Sequence, residues 1–145
     1  MILDNRSLLS DKQAITASAV STNVLDLGQE GVMYDGTQIL KRKGIGEHIP
    51  LYIGVNEDFD ALTSLDIIIQ ESVDAAFTVP LEVMSVSVLL ADLKAGYISP
   101  IDKLPRKVTK RFLRFSYVVT GANPTVGQIS AGFVAAVDGM NKSGF

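Results

Sequence analysis

The chain has 145 residues, 47% of them hydrophobic, with a net charge of −3 and no cysteine. That length is one domain, and the apolar share is enough to build a core without covalent staples. Without cysteine there are no disulfides, zinc thiolates or thiol nucleophiles, and the acidic balance argues against a general nucleic-acid binder.

Residues 1 to 22 are small and polar, with Thr16-Ala17-Ser18-Ala19-Val20-Ser21-Thr22 typical of the stretch. Ser10 with Gln13 three residues later has the spacing of a capping box, but no i, i+3, i+4 apolar face follows it. The segment reads as an extended arm (1–22), a main domain spans 23–138, and a tail occupies 139–145. Asn23 to Leu27 reads as a short strand stopped by Gly28. Residues 28 to 49 form a long connection broken by Gly28, Gly31, Gly36, Gly44 and Gly46, and it carries the basic run Lys41-Arg42-Lys43. Long loops of this kind in compact domains are usually functional.

From Leu51 onward the pattern is that of strands. Leu65, Ile67 and Ile69 alternate with Asp66, Ile68 and Gln70, and Val86 and Val88 alternate with Ser85 and Ser87. Leu113, Phe115, Tyr117 and Val119 fall on one face, with Arg114, Ser116 and Thr120 on the other. Ile129, Ala131, Phe133, Ala135 and Val137 repeat the arrangement. Turn residues separate the runs at Asn56-Glu57-Asp58, Asp102 to Pro105 and Gly121 to Pro124, and Pro80 and Pro100 belong at strand ends or edges. Six to eight short alternating strands predict an all-β antiparallel sandwich or barrel. No apolar run approaches the ~20 residues of a spanning helix, and Asp4 interrupts any leader-like start, so neither a membrane span nor a signal peptide is expected.

Catalytic chemistry finds little support in the residues. His48 is the one histidine, on a glycine-rich loop, and it reads as a solvated loop residue rather than a triad member or metal ligand. Lys41 to Gly46 lacks the spacing of a phosphate loop, and Glu57, Asp58 and Asp60 lack that of a calcium loop. The densest basic stretch runs from Lys103 through Arg106, Lys107, Lys110 and Arg111 to Arg114. It invites a single-strand nucleic-acid reading, but Phe115 and Tyr117 share the core face and leave only Phe112 free to stack. The sharper alternative is a protein-facing surface, since arginine anchors are enriched at interfaces. No enzyme activity, cofactor, metal or membrane partner is expected.

The opening Met1-Ile2-Leu3-Asp4, the run from Ser10 to Gly28, Pro50 to Ile53, Leu65 to Glu71, Ile101 to Pro105, Arg111 to Tyr117 and Gly127 to Val134 together resemble capsid cement (decoration or staple) proteins of short-tailed bacteriophages. The resemblance implies a jelly-roll β-sandwich with an extended N-terminal arm and a long glycine-rich loop. It further implies a virion protein on the outer capsid surface that clamps adjacent major capsid proteins against internal DNA pressure. Self-association as a homodimer is implied too, a trimer being the alternative; assembly in a host cytoplasm is expected, and the acidic balance leaves no direct nucleic-acid contact expected. The candidate contacts are Ile2, Leu3, Arg6 and Leu8 in the arm, Lys41, Arg42 and Lys43 in the loop, and Arg114 on its strand. Removing residues 1 to 22 is expected to weaken capsid binding and spare the fold. The alternatives are a head–tail or tail component and a small ligand-binding jelly roll; a single histidine disfavours a cupin-like site.

Overall fold

Where apolar and polar residues alternate, the chain extends and pairs. A computed structural model describes residues 2–29, 31–37 and 48–136, and the regular structure in them is entirely β. The strands are β1 (Ile2–Ala14), β2 (Ala19–Val20), β3 (Leu25–Asp26), β4 (Leu51–Glu57), β5 (Leu62–Ser72), β6 (Leu81–Leu89), β7 (Phe112–Gly121) and β8 (Gln128–Ala136). One sheet has the order β1-β8-β4; the other runs β2-β7-β5-β6, with β3 beside β2 on the same edge of β7. Every pairing is antiparallel.

The free edge of β4 is covered by a segment too irregular to count as a strand. Val55 N–H donates to Tyr97 C=O, Ser99 N–H to Ile53 C=O and Leu51 N–H to Asp102 C=O, each at 2.9 Å. Isolated bridges join Gly54 to Ile98 and Pro50 to Lys103. With this segment as a fourth member, the two sheets have the order of a jelly roll, in which Greek-key connections carry the chain between layers.

The core lies between the layers. Leu51, Ile53 and Val55 of β4 and Ile129, Ala131 and Phe133 of β8 face Leu65, Ile67 and Ile69 of β5 and Leu113, Phe115 and Tyr117 of β7, all buried. Phe115 stacks on Phe133 across the gap with centroids 6.4 Å apart. Each such aliphatic side chain contributes roughly 1.5–3 kcal/mol on full burial. The alternation read from the sequence thus places the inward residues of β5 and β7, and Ile129, Ala131 and Phe133 of β8, correctly; Val137 lies outside the described residues.

The arm expectation needs correction. Residues 2–14 are extended, but they are an edge strand of the domain along β8, and Leu9 and Ile15 are core residues. Their apolar side chains are too widely spaced to show as a periodic face, which is why they pass for polar arm. The Ser10–Gln13 pair is real but caps no helix. Ser10 Oγ donates to Gln13 Oε1 at 2.8 Å, and the Gln13 amide goes on to Val20 C=O and accepts from Thr22 N–H. A helical cap is thereby replaced by a tie between β1 and β2. The strand expected over Asn23 to Leu27 shrinks to Leu25–Asp26, because Asn23 N–H turns away to Leu9 C=O. The basic run Lys41 to Lys43 and the tail 139–145 lie outside the described residues.

Candidate partner-binding surfaces

Among the expected contact residues, those of β1 cluster at one edge. Leu3 pairs with Val134 and Leu8 with Gly132, so Asp4, Asn5, Arg6 and Ser7 all stand opposite Phe133 in a wide bulge. Asp4 Oδ1 accepts the Arg6 N–H at 3.2 Å, and Ser7 Oγ donates to Phe133 C=O at 2.8 Å, which fastens the bulge to the sheet. Arg6 is held out exposed, and Leu8 is half-buried. Ile2 pairs with Ala136 at the end of the ladder.

Arg114 is committed inside the protein. Its guanidinium carbon lies 4.2 Å from the centroid of Phe77, and its Nε donates to Gln70 Oε1 at 2.9 Å. Partial burial lowers its pKa from the usual arginine value without threatening its charge. Phe77 is buried with φ of 53°, an unusual backbone for a side chain of that size, and the cation over its ring helps hold the turn after β5. Arg111 is committed likewise: it makes a two-pronged ion pair with Asp26 at 2.7 and 2.8 Å and sits 4.9 Å above Phe112. The ring expected to be free for stacking therefore carries an arginine of its own chain.

The acidic turn after β4 staples loops. Asp58 accepts the Ala95 N–H at 2.7 Å, with Lys94 at 3.5 Å, and Asp60 accepts from the Thr125 hydroxyl and the Thr125 and Val126 amides. These bonds, the Ala95 amide first for Asp58 and the Thr125 hydroxyl first for Asp60, hold both carboxyls below the usual carboxylate range. No group of three or more metal-ligating side chains occurs among the described residues.

The open end of the second sheet was not singled out by sequence reasoning. β6 pairs with β5 alone among the described residues. Which of its amides face outward follows from alternation along the sheet. Ser21 N–H donates to Phe115 C=O, so the polar groups of Phe115 face β2 and those of Arg114 and Ser116 face β5. Ser116 pairs with Ile68, so Ile67 and Ile69 turn their groups toward β6, to Val86 and Met84. Ser85 and Ser87 must then direct their N–H and C=O groups away from the sheet. Both side chains are exposed, as are Leu81 (45%), Met84 (38%) and Leu89 (59%). β6 holds no lysine and no internal proline, the residues that commonly blunt an edge.

A cleft of about 370 Å³ opens beside this edge, where β6 meets the segment covering β4. Met84, Ile101, Leu104 and Pro105 supply apolar walls, with His48, Lys103 and Arg106 exposed at its rim. Asp102 is the one carboxylate lining it among the described residues. Met84 lies on the core-facing side of β6, opposite Ile69, beside the extra residue Val83 of a bulge. It is partly exposed there and lines the cleft wall.

Two sheets with a jelly-roll order define a β-sandwich domain in which β6 is an edge strand among the described residues. The chain belongs to the Bbp16 family, whose model matches residues 9–133. No curated protein matches the chain.

Proposed function

We propose that the protein is a structural component of a phage particle that binds the outside of an icosahedral capsid and clamps adjacent major capsid subunits. The observation that carries this reading is the edge of β6, nine residues long, with outward amides at Ser85 and Ser87 and exposed leucines at both ends. An edge of this kind recruits a strand from another chain. The resemblance of the sequence to phage cement proteins directs the reading toward a capsid, and the Bbp16 family name is compatible with a phage protein. Clamping needs one subunit to touch two neighbours, so that parting them breaks both interfaces. Self-association as a homodimer would make the second contact intramolecular and raise the avidity.

Mixing the purified chain with empty capsids and pelleting them tests the proposal. Co-sedimentation near one copy per capsid subunit is the expected result. Recovery in the supernatant overturns it, and saturation at a few copies per particle moves the protein to a head–tail or tail position.

A further inference from the structure

We infer that the β6 edge and the adjoining cleft form one recognition site for an extended segment of another protein chain, one that carries an apolar side chain two residues from a carboxylate, so that both lie on the same face. The inference rests on the partner-binding reading of this surface and is independent of whether the partner is a capsid protein. Two separate features meet at Met84, which belongs to the edge strand and lines the cleft.

The edge supplies the main-chain half of the site. A strand laid against β6 bonds to the outward groups of Ser85 and Ser87, and these bonds are indifferent to side chains. The cleft supplies the selective half. In a strand added beside β6, the residue opposite Met84 points to the same side as Met84, toward Ile101 and Leu104. An apolar side chain fits there, because the walls are methionine, isoleucine, leucine and proline. Among the described residues, Lys103 and Arg106 at the rim outnumber Asp102, with His48 beside them, so a carboxylate two residues along, on the same face, is favoured over an amine.

A second copy of this chain fits the site poorly. If two β6 strands paired, the residues able to reach the cleft would be Met84, Val86 or Val88. Val88 is 2% exposed, Val86 packs on the core of its own subunit and Met84 already forms a wall of its own cleft, so none of them is free to fill a neighbour's cleft. Two rims bearing Lys103 and Arg106 would also be brought toward each other.

The test is titration of the isotopically labelled full chain with the peptide acetyl-Thr-Val-Thr-Leu-Thr-Glu-Thr-amide, in which leucine and glutamate share one face, followed by amide NMR shifts. Saturable changes are expected at Ser85, Ser87, Lys103 and Leu104, with a dissociation constant below about 1 mM. Replacing the peptide leucine by serine, or using Lys103→Glu with Arg106→Glu, is expected to weaken binding about tenfold. Ser85→Pro, which removes an outward N–H that β5 does not use, is expected to abolish it. The charge variant lies at exposed positions, so it decides the matter even where the proline variant fails to fold. No saturable change below about 1 mM, or changes confined elsewhere, overturns the proposal. So does finding the Ser85 and Ser87 amides already protected in a peptide-free dimer, which assigns the edge to a second copy. Capsid pelleting stands apart from this: binding of capsids with no peptide response removes the site and leaves the proposed function, and the converse removes the function alone.

Discussion

Ser10 and Tyr117 share a hydroxyl–hydroxyl bond of 2.8 Å at a place where both residues are fully buried. Burial raises the Tyr117 pKa above its ordinary value, outweighing the Ser10 bond, so the phenol stays neutral. The two partners are not equivalent to mutation. Ser10→Ala strands a buried phenol hydroxyl and is expected to destabilise by about 1–3 kcal/mol, whereas Tyr117→Phe leaves Ser10 bonded to Gln13 and costs about 1 kcal/mol. Calorimetric melting of the two variants checks the order; equal melting temperatures would argue against it, since both variants keep the ring. Asp26 and Asp74 are both held down to about 2 from 3.8, Asp26 chiefly by Arg111 and Asp74 chiefly by Ser72 with Thr78. A carboxyl depressed in the folded state stabilises fully above its unfolded pKa and loses that contribution as pH falls through its folded value. Urea midpoints should therefore decline as the pH drops from near 3.8 toward about 2. Asp26→Asn with Asp74→Asn should flatten that decline while lowering the midpoint at neutral pH. Legibility at this scale is poor. Nothing near Arg114 in the chain announces Phe77, and nothing near Arg111 announces Asp26, because these partners meet only through strand pairing.

Strand membership depends on what each stretch of backbone can approach. β1 rides close to β8 at Gly132, where a Cβ would come within 2.6 Å of Ser7 C=O and 2.8 Å of Leu8 Cα. Both obstacles are backbone, so the strand has to lift away to accommodate a side chain. Gly132→Ala is expected to destabilise by about 1–3 kcal/mol and to speed hydrogen exchange along β1 before the rest of the sheet. Uniform acceleration throughout the chain would argue against local lifting. The existence of β4 to β8 was legible because their alternation is unbroken over several residues. β1 was not, since its bulge at Asp4 to Ser7 and the positive φ of Lys12 (45°) interrupt the period that would reveal it. For the same reason β6 could be read as a strand while its position at the edge could not. A run such as Val86-Ser87-Val88 looks alike beside one neighbour or two.

For the whole molecule, the two layers are mutually dependent, and the N-terminal strand is part of that dependence. Deleting residues 1 to 22 removes Leu9 and Ile15 from the core together with the β2 pairing on β7. Loss of cooperative thermal unfolding is expected in place of the intact fold that a detached arm would leave, and circular dichroism melts decide between them. The proposed capsid contact at the N-terminal edge is better probed by Arg6→Glu, an exposed change in the bulge that leaves the core alone. Reduced pelleting with an unchanged melting temperature would implicate that edge.

Composition and alternation settled the class of this protein: cysteine-free, all-β, with the inward faces of β5, β7 and β8 legible residue by residue. They could do so because core burial selects side chains at the two-residue period of a strand, a local property of the chain. Which strands sit at edges, which cations remain free and where a cleft opens were decided by the tertiary structure. Those features are set by pairings between distant residues, Asp26 with Arg111 or β1 with β8, and a local pattern contains no trace of its distant partner.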